Sequence, residues 1–147
     1  PLVRWPGGEL RRYRDRLFLL ASAADAPPSP VSLTLTADGP PLALGPGLGS
    51  LSLAAGAGGG IRHERLGAGL AVRFRSGGER LRPHGRNETH HLKKLLQDAG
   101  IVPWMRGSIP LLYAGDELIA VGDLWVAQSA FDPSGLAVRW HGRPRIR

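Results

Sequence analysis

The chain has 147 residues, enough for one domain with its own core, and no cysteine, which excludes disulfides, thiolate metal sites and cysteine nucleophiles. Its formal net charge of +7 and pI near 11.2 favour an anionic partner if the charge is clustered. No apolar run approaches the roughly 20 residues of a membrane-spanning helix, and the opening PLVRWPGG lacks the apolar stretch of a signal peptide. The chain opens on Pro1 and its single methionine is Met105, so a piece of a longer protein is expected.

In chain order the pattern is mostly strand. GELRRYRDRLFLL reads as two short extended pieces around Asp15, within a preceding segment expected over residues 1–23. Residues 24–30 are linker-like, because their prolines remove donors and fix φ. Residues 31–147 are then expected to form the domain. VSLTLT at 31–36 alternates with period two, as a half-buried strand does, and SLSLA from Ser50 repeats the pattern. The glycine-rich middle, 37–60, carries no motif. LAVRFR at 70–75 sets Leu70, Val72 and Phe74 against Ala71, Arg73 and Arg75.

One helix stands out. Asn87 is placed to cap it and Glu88 suits its positive first turn. Leu92, Leu95, Leu96 and Ala99 form one apolar stripe, while Gly100 and Pro103 stop it. PLLYAGDELIAV then predicts a hairpin turning at Gly115-Asp116, and LWVAQ and LAVRWHG supply two more strands. The fold class expected is α+β, β-rich, with one clear helix.

The charge is clustered. Between Arg73 and Lys94 stand Arg73, Arg75, Arg80, Arg82, Arg86, Lys93 and Lys94 against only Glu79 and Glu88. Residues 107–138 hold Asp116, Glu117, Asp123 and Asp132 and neither Lys nor Arg, and the tail adds Arg139, Arg143, Arg145 and Arg147. Such asymmetry implies an oriented basic surface; the plain alternative is a solvated face. A helix start preceded by Arg82 and Arg86 would join backbone N–H groups, the positive dipole end and guanidinium forks in a phosphate site. Lys93, Lys94 and Gln97 occupy the polar helix face. His90 stands one turn before Lys94.

Catalytic motifs fail on inspection. Ser76-Gly77-Gly78-Glu79-Arg80 is similar to the SGGxDS loop of ATP pyrophosphatases but lacks the Asp-Ser pair, and reads as a hairpin turn. GAGGG at 56–60 is followed by no Gly-Lys-Ser/Thr. His90 and His91 are adjacent and would not face one metal on a helix. Asp116 and Glu117 are explained by a hairpin tip. No serine stands in a Gly-x-Ser-x-Gly elbow. Asn87-Glu88-Thr89 is formally a glycosylation acceptor, though nothing indicates secretion.

GGERLRPHGR, followed by LKKLLQDAGIVPWMRGSIPLLYAGDELIAVGDLWV, resembles the C-terminal domain of tRNA(Ile)-lysidine synthetase; WPGGELRRYRDRLFL is similar to the segment preceding that domain. His90 and His91 depart from the small residue or lysine common there. The resemblance implies a sandwich-like α+β fold similar to the tRNA-binding module of the phenylalanyl-tRNA synthetase β subunit. It implies a parent ligase that adenylates the wobble cytidine of the CAU anticodon of tRNA(Ile) with ATP and Mg, then installs lysine. That chemistry would belong to an N-terminal catalytic domain of the same chain in the cytoplasm, leaving this piece noncatalytic and without a cofactor. Its part would be to hold the tRNA on the acceptor-stem side, with no membrane partner. Arg82, Arg86, Lys93, Lys94 and Arg106 are the implied phosphate and sugar contacts, with Arg80 and His90 beside them. A general interaction or dimerisation module with an incidental basic face, including a homodimer, stays open.

Overall fold

The structure is a computed structural model that describes residues 2–5, 8–13 and 16–21 as backbone and residues 33–147, except 38, 57 and 68, in full. The linker expected at 24–30 lies outside the described residues. The two extended pieces around Asp15 are β2 (Gly8–Tyr13) and β3 (Arg16–Ala21), paired antiparallel with Tyr13 opposite Arg16. With β1 (Leu2–Trp5) they make a three-stranded sheet in the order β1-β2-β3.

Ten of the remaining strands form two five-stranded antiparallel sheets, and two more form a separate two-stranded ribbon. Alternation produces β4 (Leu33–Leu35), and beyond it β8 (Leu70–Arg73), where Leu70 and Val72 are buried and Arg73 is exposed. β11 (Leu111–Ala114) and β12 (Glu117–Val121) form the expected hairpin. Its two-residue turn places Gly115 at φ +62°, the left-handed region a side chain would resist. With β13 (Trp125–Val126) the first sheet runs β13-β12-β11-β8-β4. Leu118 to Val121 are all buried, although neighbouring residues point to opposite faces, so β12 is covered on both sides.

The second sheet takes β5 (Leu42–Ala43), β6 (Ser50–Ala55), β7 (Gly60–Ile61), β14 (Phe131–Asp132) and β15 (Leu136–His141), in the order β14-β7-β15-β6-β5. Residues 37–60, without a motif in the sequence, thus supply two whole strands and the start of a third. Their leucines Leu44, Leu48 and Leu51 are buried, and the Leu48 carbonyl accepts the indole N–H of buried Trp140 at 2.6 Å. Gly49 is required at this turn because a Cβ there would lie 2.0 Å from the His141 carbonyl oxygen. Residues of both sheets, including Leu35, Leu70, Leu111, Leu51, Ile61 and Trp140, join in one hydrophobic core. This is the β-rich α+β arrangement expected. Among the described residues no helix is long and apolar enough to cross a membrane.

Two local expectations are corrected. The helix, α1 (Leu92–Asp98), starts five residues after Asn87, which does not cap it. The chain stays extended because β10 (His90–His91) pairs with β9 (Arg80–Leu81), and the first helical N–H, of Leu92, donates to the Glu79 carbonyl at 2.9 Å. The stop is as read. Gly100 takes φ +77°, its N–H reaches the Gln97 carbonyl and that of Ile101 reaches Leu96, the paired bonds of a Schellman ending. Leu92, Leu95 and Leu96 are buried as the stripe requires. The second correction concerns 76–80, which is no hairpin turn: β8 belongs to the first sheet and β9 to the ribbon with β10, so the glycines carry the chain between them.

Trp140→Phe keeps the buried ring but leaves the Leu48 carbonyl without its donor. It is expected to lower unfolding free energy by about 1–3 kcal/mol. Urea denaturation checks this, and an unchanged midpoint would remove the bond from the account of why 37–60 is held.

Candidate nucleic-acid interface

The β9–β10 ribbon sorts its side chains by pleat. Residues directly opposite each other project to the same side, so Leu81 pairs with His90 and Arg80 with His91. Leu81 is buried and His90 half-buried, whereas Arg80 and His91 are exposed. Arg80 Nη2 lies 3.3 Å from His91 Nε2, and since a guanidinium only donates, that nitrogen accepts. His90 therefore does not stand on a helix beside Lys94; His91 takes the outward place.

The ribbon runs straight into α1, which brings His91, Lys93 and Lys94 to one cleft with Arg75. Its volume is about 610 Å³, and Gly77, Gly78, Glu79 and Asp98 complete its walls. Its two acids are engaged. Lys94 meets Asp98 at 3.6 Å, an exposed i,i+4 pair worth little. The Glu79 carboxylate is gripped by its own loop, accepting from the Ser76 N–H at 2.8 Å, the Ser76 hydroxyl at 3.1 Å and the Gly77 N–H at 3.1 Å. Partial burial pushes the Glu79 pKa up, but these bonds to its charged form outweigh that and hold it below the ordinary value. Among the described residues Arg75 and Lys93 are in no ion pair. The sequence marked Arg75 only as part of a charge cluster; its place in the cleft follows from the chain's passage between sheets.

The other expected contacts are spread out. Arg80 and Arg82 line a second cleft, of about 530 Å³, facing Glu117, Gln128 and Ser129. Arg82 Nε donates to the Arg86 carbonyl at 2.9 Å, closing the turn on which Arg86 is exposed. Arg106 lines neither cleft: it sits half-buried in a 3-10 turn (Pro103–Ser108), its Nε donating to the Ile101 carbonyl at 2.9 Å. Tail arginines are committed to structure. Arg143 pairs with Asp123 at 2.9 Å, and Arg147 Nε meets the Ala99 carbonyl at the helix end at 3.1 Å. At the helix start the leading N–H, of Leu92, is taken up by the Glu79 carbonyl. What the geometry provides is a set of cations at the ribbon–helix junction, exposed Arg80, Lys93 and Lys94 with half-buried Arg75, able to contact phosphates through their side chains.

Residues 70–142 match the family model described as the TilS substrate C-terminal domain. Through these residues the chain carries the domain of that family. The matched stretch begins with β8 and runs past β15, so it contains the ribbon, α1, the buried hairpin and both clefts. Over almost its whole length the chain is also similar to curated proteins named tRNA(Ile)-lysidine synthase. It is 38% identical to that of Methylococcus capsulatus over 95% of this chain and 32% of the relative. It is 36% identical to that of Salmonella typhimurium over 96% of this chain and 32% of the relative. The Coxiella burnetii protein is 37% identical over 96% of this chain and 31% of its own length. The chain thus spans about a third of the length of these relatives.

Glu117, at the hairpin tip, does more than face water. Its carboxylate accepts the Ser129 hydroxyl at 2.6 Å and pairs with Arg65, and these contacts, the serine bond first, hold its pKa below the ordinary value. A group depressed by folding stabilises the fold above its unfolded pKa, about 4.3 for Glu. That stabilisation is lost as pH falls through the lower, folded value. Glu117→Gln is therefore expected to shrink the drop in thermal midpoint between pH 5 and pH 3. Parallel acid limbs for the two proteins would show that the contacts add nothing.

Proposed function

We propose that this chain is the tRNA-holding part of a tRNA(Ile)-lysidine synthase and is itself noncatalytic. In this reading the parent ligase joins lysine to the wobble cytidine of the CAU anticodon of tRNA(Ile). It uses ATP and Mg at an N-terminal domain of the same chain, in the cytoplasm. The present chain grips the RNA backbone on the acceptor-stem side, through a fold similar to the tRNA-binding module of the phenylalanyl-tRNA synthetase β subunit. One observation carries the reading: the stretch that matches the family also gathers exposed Arg80, Lys93 and Lys94 with half-buried Arg75 at one junction. Neutralising phosphates there releases counterions, which makes affinity steeply salt-dependent and largely sequence-independent.

Binding of a CAU-anticodon tRNA(Ile) transcript should weaken linearly on a log–log salt plot, each contact adding about 0.7–0.9 to the slope. Replacing Arg80, Lys93 and Lys94 together by alanine should remove about 2–3 from that slope with the melting temperature kept, since all three are exposed. Arg106→Ala should change it least. A salt-independent affinity, or a triple variant that binds like the parent, would favour a protein-interaction module whose basic face is incidental. The same purified chain is expected to release no AMP from ATP in the presence of tRNA and lysine. Lysine-dependent AMP release would place a catalytic site here and end the noncatalytic assignment.

A further inference from the structure

A third cleft, of about 310 Å³, lies apart from the ribbon–helix junction, and its walls include Gly58 to Gly60, Trp125, Phe131 and His84. We propose that it is a stacking slot for one unpaired nucleobase of the RNA whose backbone Arg82 and Arg86 hold; this rests on the tRNA-holding reading above.

His84 is the first reason. It is exposed, yet its ring does not wander: it stacks on Phe131 with centroids 3.5 Å apart and planes 10° from parallel, and Nδ1 lies 3.2 Å from Gln128 Oε1. Gln128 is oriented in turn, because the Gly85 N–H donates to the same Oε1 at 3.1 Å and only an oxygen accepts from it. Nδ1 therefore carries the proton. In the neutral ring Nε2 is left as an acceptor, suited to an amino or ring N–H of a base edge. Ordering of this exposed ring has been completed in the free protein, which removes a cost of binding.

The walls are the second reason. Gly59 has φ +77°, and a Cβ there would lie 2.9 Å from Phe131 Cζ, so bare backbone forms that side and no side chain fills the mouth. The Phe131 carbonyl is held by Arg62 Nη2 at 3.0 Å, which steadies the platform beneath His84. The volume is at the small end for ligand clefts, fitting a single ring system better than a length of chain.

Charge is the third reason. His84 belongs to the turn between Arg82 and Arg86, both exposed and joined by the Arg82–Arg86 carbonyl bond. The one acid in the cleft, Asp123, is neutralised by Arg143 at 2.9 and 3.1 Å. Guanidinium groups beside an aromatic platform are the arrangement that holds single-stranded nucleic acid, with phosphates outside and a base within. A paired base is hidden in its stack, so the occupant is an unpaired one.

The test compares a blunt RNA hairpin with the same hairpin carrying a four-nucleotide single-stranded 3′ overhang, with 2-aminopurine placed in turn at each unpaired position. The full 147-residue chain should bind the overhang RNA about tenfold more tightly, as one stacked base allows, and quench 2-aminopurine at one position. His84→Ala should lose both effects while keeping the salt slope, and His84→Phe, which preserves the stack, should retain them. Equal binding of the two RNAs, or an unaltered preference in His84→Ala, would overturn the slot while leaving the basic grip standing. Salt-independent binding of both hairpins would overturn the RNA-holding function and the slot together.

Discussion

Burial of β12 on both faces is the constraint around which the molecule is arranged. Leu118 to Val121 leave no side of the strand to water, and an unpaired charge on it would be too costly to keep there. Neighbouring elements must therefore present apolar surface to it, as β11 does with Leu111 and Leu112 and α1 contributes to the same core with Leu92, Leu95 and Leu96. Charge retreats to the hairpin tip, at Asp116 and Glu117. Residues 107–138, which contain this strand, accordingly lack Lys and Arg. The cations instead occupy the β9–β10 ribbon and the outer face of α1, where only Leu81, His90 and the helix stripe turn inward.

Segregation alone would not leave those cations available, because acids migrate to them. Here three of the acids have other partners, and a fourth, Asp98, meets Lys94 only in an exposed pair at 3.6 Å. Glu79 is held by the Ser76-Gly77 backbone, Glu117 by Ser129 and Arg65, and Asp123 by Arg143. The hydrogen-bonding loop at 76–79 thus shapes the electrostatics of the junction as much as the arginines do. It ties down the carboxylate that sits deepest among them. The positive surface is a product of how the negative residues are satisfied.

What could be read from the sequence divides along physical lines. Strands with alternation or continuous apolar runs were legible, as were the Gly115-Asp116 turn and the Gly100 stop, because each is encoded within a few residues. The helix start was misplaced, since Asn87-Glu88 is a good local cap, and only pairing of His90-His91 with Arg80-Leu81, ten residues away, keeps the chain extended. The same pairing exchanged His90 for His91 on the outer face. Residues 37–60 looked empty because their role depends on Trp140 and β15, far along the chain. Of the expected contacts, the lysines and Arg80 were brought together, but Arg106 was not, and Arg75 joined through a crossing between sheets that no local pattern reveals.

The bond from Trp140 to Leu48 spans 92 positions, and β6 pairs with β15 from Ser50 opposite His141 to Ala55 opposite Leu136. The second sheet is consequently closed only once β15, far along the chain from β6, has been made. Until then β6 exposes an unpaired edge and a row of leucines, the features that invite mispairing in slowly closing β proteins. Loop closure of this length must be met before its contacts are rewarded, which places the molecule among slow folders despite its modest size. A ribosome pause or truncation before Leu136 would leave the helix, the ribbon and the buried hairpin synthesised beside half of an open sheet. The integrity of the second sheet is decided by a strand made long after the one it completes, with the whole basic junction synthesised in between.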